Sequence, residues 1–278
     1  MARKIHVKLI ERMTSGDLIP LLNFLKTNKE KLRLEVRQVG KAFVYYKKCK
    51  ILELGLNSYS IDEKYFENNQ KPIDIKNQVI NNPELYFKQT LSVVDSWLQK
   101  HRKQEFETQQ NIAIYNQDKD DKYIILDMEY NFSQSGIEKG KRVGKRAGFD
   151  LLGIERKSGK IVFFEIKKGL KALSGKAGIE THIKDFEKFL YQNNEDVFRK
   201  NLIVDIQNIV SDKKELGLLE NFDLPTTLSI DDIDLAFVFE PIADKDKYLK
   251  KFETEYKKSA SQREFKTIYI SENDYKLK

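Results

Sequence analysis

The chain has 278 residues, of which 40% are hydrophobic and 33% charged, with five prolines, one cysteine, three histidines and a formal net charge of +7. That length accommodates one large domain or two modest ones with a real core, and the hydrophobic fraction argues against disorder over the bulk of the chain. The single cysteine, Cys49, excludes an internal disulfide framework and a cysteine-cluster zinc site, and no apolar run approaches the roughly 20 residues of a membrane span.

In chain order, Met1-Ala2-Arg3-Lys4 leads into a mixed segment and not into a signal-peptide hydrophobic region, so a cytoplasmic chain that avoids the membrane is expected. Residues 1–56 predict a small α/β unit. Thr14-Ser15-Gly16-Asp17 offers a helix start capped by Asp17 or Ser15, followed by Leu18, Leu21, Leu22 and Leu25 at helical spacing. Leu32–Arg37, Ala42–Lys48 and Ile51–Leu56 predict strands, with a turn at Gly40 and Cys49 buried in or beside a strand. Residues 57–83 are polar and Asn-rich and predict a weakly structured connection.

A second domain, 81–278, is expected to begin at Pro83 with a helix over Glu84–Gln109, its apolar stripe running Phe87, Leu91, Val94, Leu98. Ile112–Tyr115 and Tyr123–Tyr130 predict strands, and Gly136–Gly148 a basic, glycine-bearing loop. Phe149–Ile154 and Ile161–Ile166 predict two strands joined by Arg156-Lys157-Ser158-Gly159. Helices over Ile179–Tyr191 and Val197–Val210, a strand Ile233–Phe239 ended by Pro241, a helix Lys245–Lys258 and a strand Thr267–Ile270 complete the set.

The charge is concentrated. Between Gly136 and Lys176 stand twelve Lys/Arg and four acids, an excess larger than that of the whole chain. Such a patch attracts polyanions or is a solvated surface. Gly169–Lys176 fails as a phosphate-binding loop, because its spacing is one residue too long and Ala177 stands where the Mg²⁺-binding hydroxyl belongs. There is no dinucleotide glycine fingerprint, no Gly-x-Ser-x-Gly and no His-Glu-x-x-His.

One motif survives. Glu165-Ile166-Lys167 ends an apolar strand, and Asp150 stands in the apolar strand before it. The chain has three other Glu-x-Lys triplets, none in such a context. Strand alternation puts Glu165 and Lys167 on one face. A two-residue loop at Ser158-Gly159 pairs Lys157 with Lys160, sets Asp150 opposite Lys167, and leaves Asp150 and Glu165 diagonal, roughly 7–8 Å apart at the backbone. Two carboxylates at that distance can share a Mg²⁺, whose oxygen ligands sit at about 2.0–2.1 Å. A surface hairpin with a charged edge is the bland alternative.

These residues resemble the PD-(D/E)xK nuclease superfamily over roughly Glu84–Tyr191: a helix, a hairpin carrying Asp, Glu-x-Lys, then a helix. Gly178-Ile179-Glu180-Thr181-His182-Ile183-Lys184-Asp185 also resembles the segment after Glu-x-Lys in uncharacterised members. The naming proline is absent, Phe149 preceding Asp150. The resemblance implies a restriction-endonuclease-like α/β core, a mixed central sheet flanked by helices, beside the small N-terminal α/β unit (1–80). It implies a Mg²⁺-dependent nuclease, with Mn²⁺ able to substitute, that acts on DNA by direct water attack.

Asp150, Glu165 and Lys167 would be the catalytic set. Asp150, Glu165 and the Ile166 backbone carbonyl would hold the metal, with Glu105 or Glu129 as a further candidate ligand; alternation sets Asp127 and Glu129 on one face. Lys167 would act on the attacking water and on the transition-state charge. Lys141, Arg142, Lys145, Arg146 and Lys168 would hold nucleic-acid phosphates. His182 with Asp185 is an i,i+3 pair that either lies near the site or is only a helix-surface contact. The rival functions are a non-catalytic nucleic-acid-binding module on the same fold and a protein–protein adaptor; a homodimer is compatible with each.

Overall fold

The computed structural model describes residues 2–66, 74–101, 104–138, 141–191, 195–220, 222–226, 228, 232–241 and 244–278, without the side chains of 104, 132–138, 141–147 and 195–200. It is a mixed α/β protein of two compact units, Met1–Lys119 with Asn201–Leu224 and Asp120–Lys200 with Pro225–Lys278. The elements in order are α1 (Val7–Ser15), α2 (Ile19–Thr27), β1 (Leu32–Val36), β2 (Ala42–Tyr46), β3 (Cys49–Leu54), β4 (Tyr59–Ser60), α3 (Ile75–Asn81), α4 (Pro83–Lys100) and α5 (Gln104–Tyr115). There follow β5 (Tyr123–Glu138), β6 (Lys141–Glu155), β7 (Ile161–Lys168), α6 (Ile179–Tyr191), α7 (Glu195–Glu215), β8 (Ile233–Glu240), α8 (Lys245–Ser259) and β9 (Lys266–Tyr269). None of the described helices is long and apolar enough to cross a membrane.

In the first unit β1–β4 form an antiparallel meander. The predicted strands of residues 32–56 are present, and Cys49 is buried, which pushes its thiol up to about 11. The predicted cap of α2 is not formed. Asp17 instead binds the Arg12 guanidinium through both oxygens, at 2.8 and 2.7 Å, and the hydroxyl of Ser15 donates to the Glu11 carbonyl. Residues 57–83, expected to be weakly structured, contain β4, a 3₁₀ turn over Glu63–Phe66 and α3.

The expected boundary near residue 80 does not coincide with the division into units, because α4 and α5 pack in the first one. The Tyr86 hydroxyl donates to the Ile51 carbonyl at 2.7 Å, Phe87 stacks on Phe24 at 5.0 Å, and the Gln110 amide bonds Lys31 and Lys48. The single helix expected over Glu84–Gln109 is broken at His101, whose Nδ1 lies 3.1 Å from the Trp97 carbonyl and whose ring stacks on Trp97. Ile112–Tyr115 is the end of α5 and not a strand; a four-residue apolar run carries no periodicity that distinguishes the two. The C-terminal part of α7 belongs here as well. Its Asp205 and Asp212 accept the Arg3 and Ile5 amides, both at 2.6 Å, and its Lys213 pairs with the fully buried Glu35.

The second unit is built on a five-stranded sheet in the order β5-β6-β7-β8-β9, antiparallel from β5 to β7 and parallel from β7 to β9. Ile161–Lys167 is buried at every position, as a strand interior to a sheet covered on both faces should be. Phe163 stacks on Phe149 at 4.1 Å and meets Phe186 and Phe189 of α6 edge-on, so this face of β7 packs under α6. The segment Gly136–Gly148, expected to be a loop, has a strand backbone over its described residues. The β5–β6 ladder runs on from Asn131↔Gly148 to Glu138↔Lys141 as a two-stranded ribbon that β7 does not join.

Candidate functional site

The β6–β7 register is displaced by two residues from the expected one. Glu155 pairs with Lys160 around the four-residue turn Arg156–Gly159, and the ladder continues through Leu152↔Phe163 to Leu151↔Phe164. Extended one step, it sets Asp150 opposite Glu165, not Lys167. The shift is even, so the facing expected from alternation is unchanged by it.

The ladder stops there. In its rhythm Ile166 would next exchange hydrogen bonds with Phe149. Instead the Ile166 amide donates to Asp150 Oδ2 at 2.9 Å, so a side chain replaces the missing main-chain acceptor where β6 leaves β7. The N–H and C=O of one strand residue point to the same side, so the Ile166 carbonyl is directed at the same gap.

The departure begins with a paired irregularity. The pairs Met128↔Leu151 and Tyr130↔Phe149 leave Glu129 and Asp150 opposite one another. Glu129 has φ 56°, a left-handed backbone that non-glycine residues seldom adopt and that often marks a functional site. Alternation along β6 would put Phe149 on the face away from α6, yet its ring lies on Phe163, Phe186 and Phe189, and Tyr130 also meets Phe163, at 5.6 Å. Both strands thus change face at this level, and the expected shared face of Asp127 and Glu129 does not follow. Asp127 is fully buried and Glu129 half-buried.

Glu165 and Lys167 are buried, 1% and 3% exposed, with Lys167 Nζ 3.4 Å from Glu165 Oε2. The second carboxylate oxygen, Oε1, faces His182 Nδ1 at 3.2 Å. His182 comes from α6, where Ile179, Ile183, Phe186, Phe189 and Leu190 form the buried stripe. The ring is oriented by its other nitrogen, Nε2, 3.1 Å from the Ala177 carbonyl. The loop that supplies this carbonyl is tight: a Cβ on Gly178 would come within 2.6 Å of the Ser174 backbone, so only glycine fits. The expected pair of His182 with Asp185 is not the arrangement found, since Asp185 lies with Lys188 at 3.4 Å.

Thus Asp150, Glu165, Ile166, Lys167 and His182 lie together in the second unit, while Glu105 lies in α5 of the first. Lys168 is engaged by the buried Glu240 of β8 at 2.8 Å. This partner, seventy-two residues away, gave no local sequence signal. Lys141, Arg142, Lys145 and Arg146 are on the β5–β6 ribbon, and their side chains are outside the described residues. Among the described residues no three His, Cys, Asp or Glu side chains close on one point as a metal cluster.

No family model matches the chain, and no curated protein or solved structure was found to be similar to it.

Proposed function

We propose that this chain is a divalent-metal-dependent nuclease that hydrolyses the phosphodiester backbone of DNA. The observation that carries the reading is that Asp150 takes the Ile166 amide, next in the chain to the buried pair of Glu165 and Lys167, where β6 parts from β7. The mixed sheet, the hairpin that delivers Asp150 and the helix after Lys167 agree with the PD-(D/E)xK resemblance. The helices before the hairpin depart from it, since α4 and α5 pack in the other unit.

The donor set fits a hard divalent ion. Mg²⁺ is commonly held by one or two carboxylates with water and substrate phosphate filling the rest of its shell, so a cluster of three protein side chains is not required. Glu165 has a buried oxygen, Oε1, with no hydrogen bond, and the Ile166 carbonyl is directed at the gap. Asp150, Glu165 and that carbonyl would hold the ion, which supplies charge neutralisation at the phosphate and a lowered water pKa. Within the protein, the Ile166 amide fixes the Asp150 carboxylate, and Lys167 brings a compact positive charge to the transition state.

The test is purified protein with plasmid, linear and single-stranded DNA, with and without Mg²⁺ or Mn²⁺, beside Asp150→Asn and Glu165→Gln. Metal-dependent products from the parent and none from either folded variant are expected. Salt-sensitive retention without products under every divalent ion would replace the nuclease by a binding module.

The ribbon makes a separate prediction. Its described residues include Lys141, Arg142, Lys145 and Arg146 against Glu138. Neutralising Lys141, Arg142, Lys145 and Arg146 together is expected to weaken binding to duplexes of any sequence. The slope of log affinity against log salt should fall by about 0.9 for each phosphate that is no longer neutralised. Fluorescence anisotropy at several salt concentrations measures both.

A further inference from the structure

We propose that His182 Nδ1 and Glu165 Oε1 are two adjacent ligands of one cation, and that this makes the site favour a first-row transition-metal ion, with Mn²⁺ as the probe, over Mg²⁺. The inference rests on the metal reading of Glu165 above, but pairs it with His182 in place of Asp150, because no three ligand side chains close on one point among the described residues and Asp150 takes the Ile166 amide.

The protonation pattern of the imidazole is the first step. A carbonyl oxygen can only accept, so the contact from His182 Nε2 to Ala177 requires the proton to be on Nε2. A neutral ring then presents a lone pair at Nδ1. That lone pair is 3.2 Å from Glu165 Oε1, also an acceptor. Both atoms are buried, and neither has a hydrogen bond. Two buried acceptors left facing each other are costly, and their approach is unfavourable until something positive joins them.

A proton is a poor bridge here. The separation is within hydrogen-bond range, but the pair fails as a hydrogen bond, so a proton on Nδ1 would not be aimed at the oxygen. A metal ion has no such requirement, because it sits beside both atoms and not on the line between them. Two ligands at right angles around an ion with bonds of about 2.0–2.2 Å are about 3 Å apart, close to the separation found.

Ligand type sets the preference. Carboxylate and carbonyl oxygens alone suit Mg²⁺ and Mn²⁺ alike, whereas an imidazole nitrogen moves the preference away from Mg²⁺ toward first-row transition-metal ions, a series that Mn²⁺ begins. Lys167 stays on the other carboxylate oxygen, Oε2, and does not compete for Oε1. Among the described residues no three side chains of ligand type close on the point, so remaining positions are left to main-chain oxygen, water and a substrate phosphate, as a catalytic site requires.

The full chain is titrated with Mn²⁺ and with Mg²⁺ by calorimetry, and the Mn²⁺ complex is examined by electron spin-echo spectroscopy for ¹⁴N coupling. The expected result is tighter binding of Mn²⁺ than of Mg²⁺ and a single-histidine nitrogen signal. That signal should persist in His101→Ala and vanish in His182→Ala, with Mn²⁺ affinity down at least about tenfold in the latter. The parent spectrum decides whether nitrogen ligates even if a variant fails to fold. Mn²⁺ binding that Glu165→Gln abolishes but that carries no nitrogen coupling overturns this inference and leaves the carboxylate site standing. No binding of either ion overturns both.

Discussion

Lys167→Met is expected to leave DNA affinity unchanged and to slow single-turnover cleavage by about 10²–10³-fold, the usual cost of losing one preorganised electrostatic donor. Methionine retains most of the stem volume at a position only 3% exposed, so a cavity does not confuse the result. The structure allows Lys167 two jobs. Its Nζ is 3.4 Å from Glu165 Oε2, which makes it a counter-ion for a buried carboxylate. If that were its whole contribution, a divalent ion at Glu165 would replace it, and saturating metal would restore the rate. If it acts on the charge that develops at phosphorus, metal does not restore the rate, and the loss is in kcat and not in KM. Lys167→Arg should not rescue, because a planar fork cannot take the place of a compact ammonium between strand and helix. Rapid-quench kinetics with anisotropy on the same protein distinguish the two jobs, and a parental rate in Lys167→Met removes the residue from catalysis.

The elements of the second unit were largely legible because their signals are local. Ile179–Tyr191 repeats apolar residues at helical spacing, and α6 has those bounds. Ile161–Ile166 is a β-branched and aromatic run closed by a lysine, and it is β7 but for two residues at its end. Pairing was less legible. Ser158-Gly159 looks like a two-residue turn, but the loop takes in Arg156 and Lys157 as well, which moves the register by two. An even shift keeps parity up to Leu151, and Asp150 reaches the neighbourhood of Glu165 by accepting the Ile166 amide. What alternation could not foresee is the change of face at Glu129 and Asp150, which depends on one left-handed residue and on an amide that chooses a side chain over the next strand. The division into units was illegible for another reason. It is decided by contacts such as Arg3 with Asp205 and Ile5 with Asp212, some two hundred residues apart, and no local pattern carries these. His182 could have been placed: it falls on the Ile179, Ile183, Phe186 stripe of α6 and so faces the sheet, a stronger signal than its spacing from Asp185.

Phe163→Ala tests whether the aromatic layer under α6 holds that site together. Phe163 is fully buried and touches four rings: Phe149 at 4.1 Å, Phe189 at 5.4 Å, Tyr130 at 5.6 Å and Phe186 at 6.4 Å. Truncating such a ring removes transfer free energy and leaves a cavity, together costing about 3–5 kcal/mol. For a unit of this size that is a fall in the unfolding midpoint on the order of 10 °C or more. The consequence reaches the chemistry through geometry. Glu165 is two residues along the same face of β7, and His182 is one turn before Phe186 on the same face of α6. The stacked rings therefore set the spacing between helix and strand that brings Nδ1 to 3.2 Å from Oε1. Below its own midpoint, folded Phe163→Ala is expected to lose cleavage and Mn²⁺ affinity together, because α6 is no longer held at that height. Phe163→Leu, which refills most of the volume, should recover both. Circular dichroism melts alongside calorimetric Mn²⁺ titration give the two readouts. A variant that melts early but binds metal as the parent does would show that α6 is positioned by other contacts, with His182 independent of the aromatic layer.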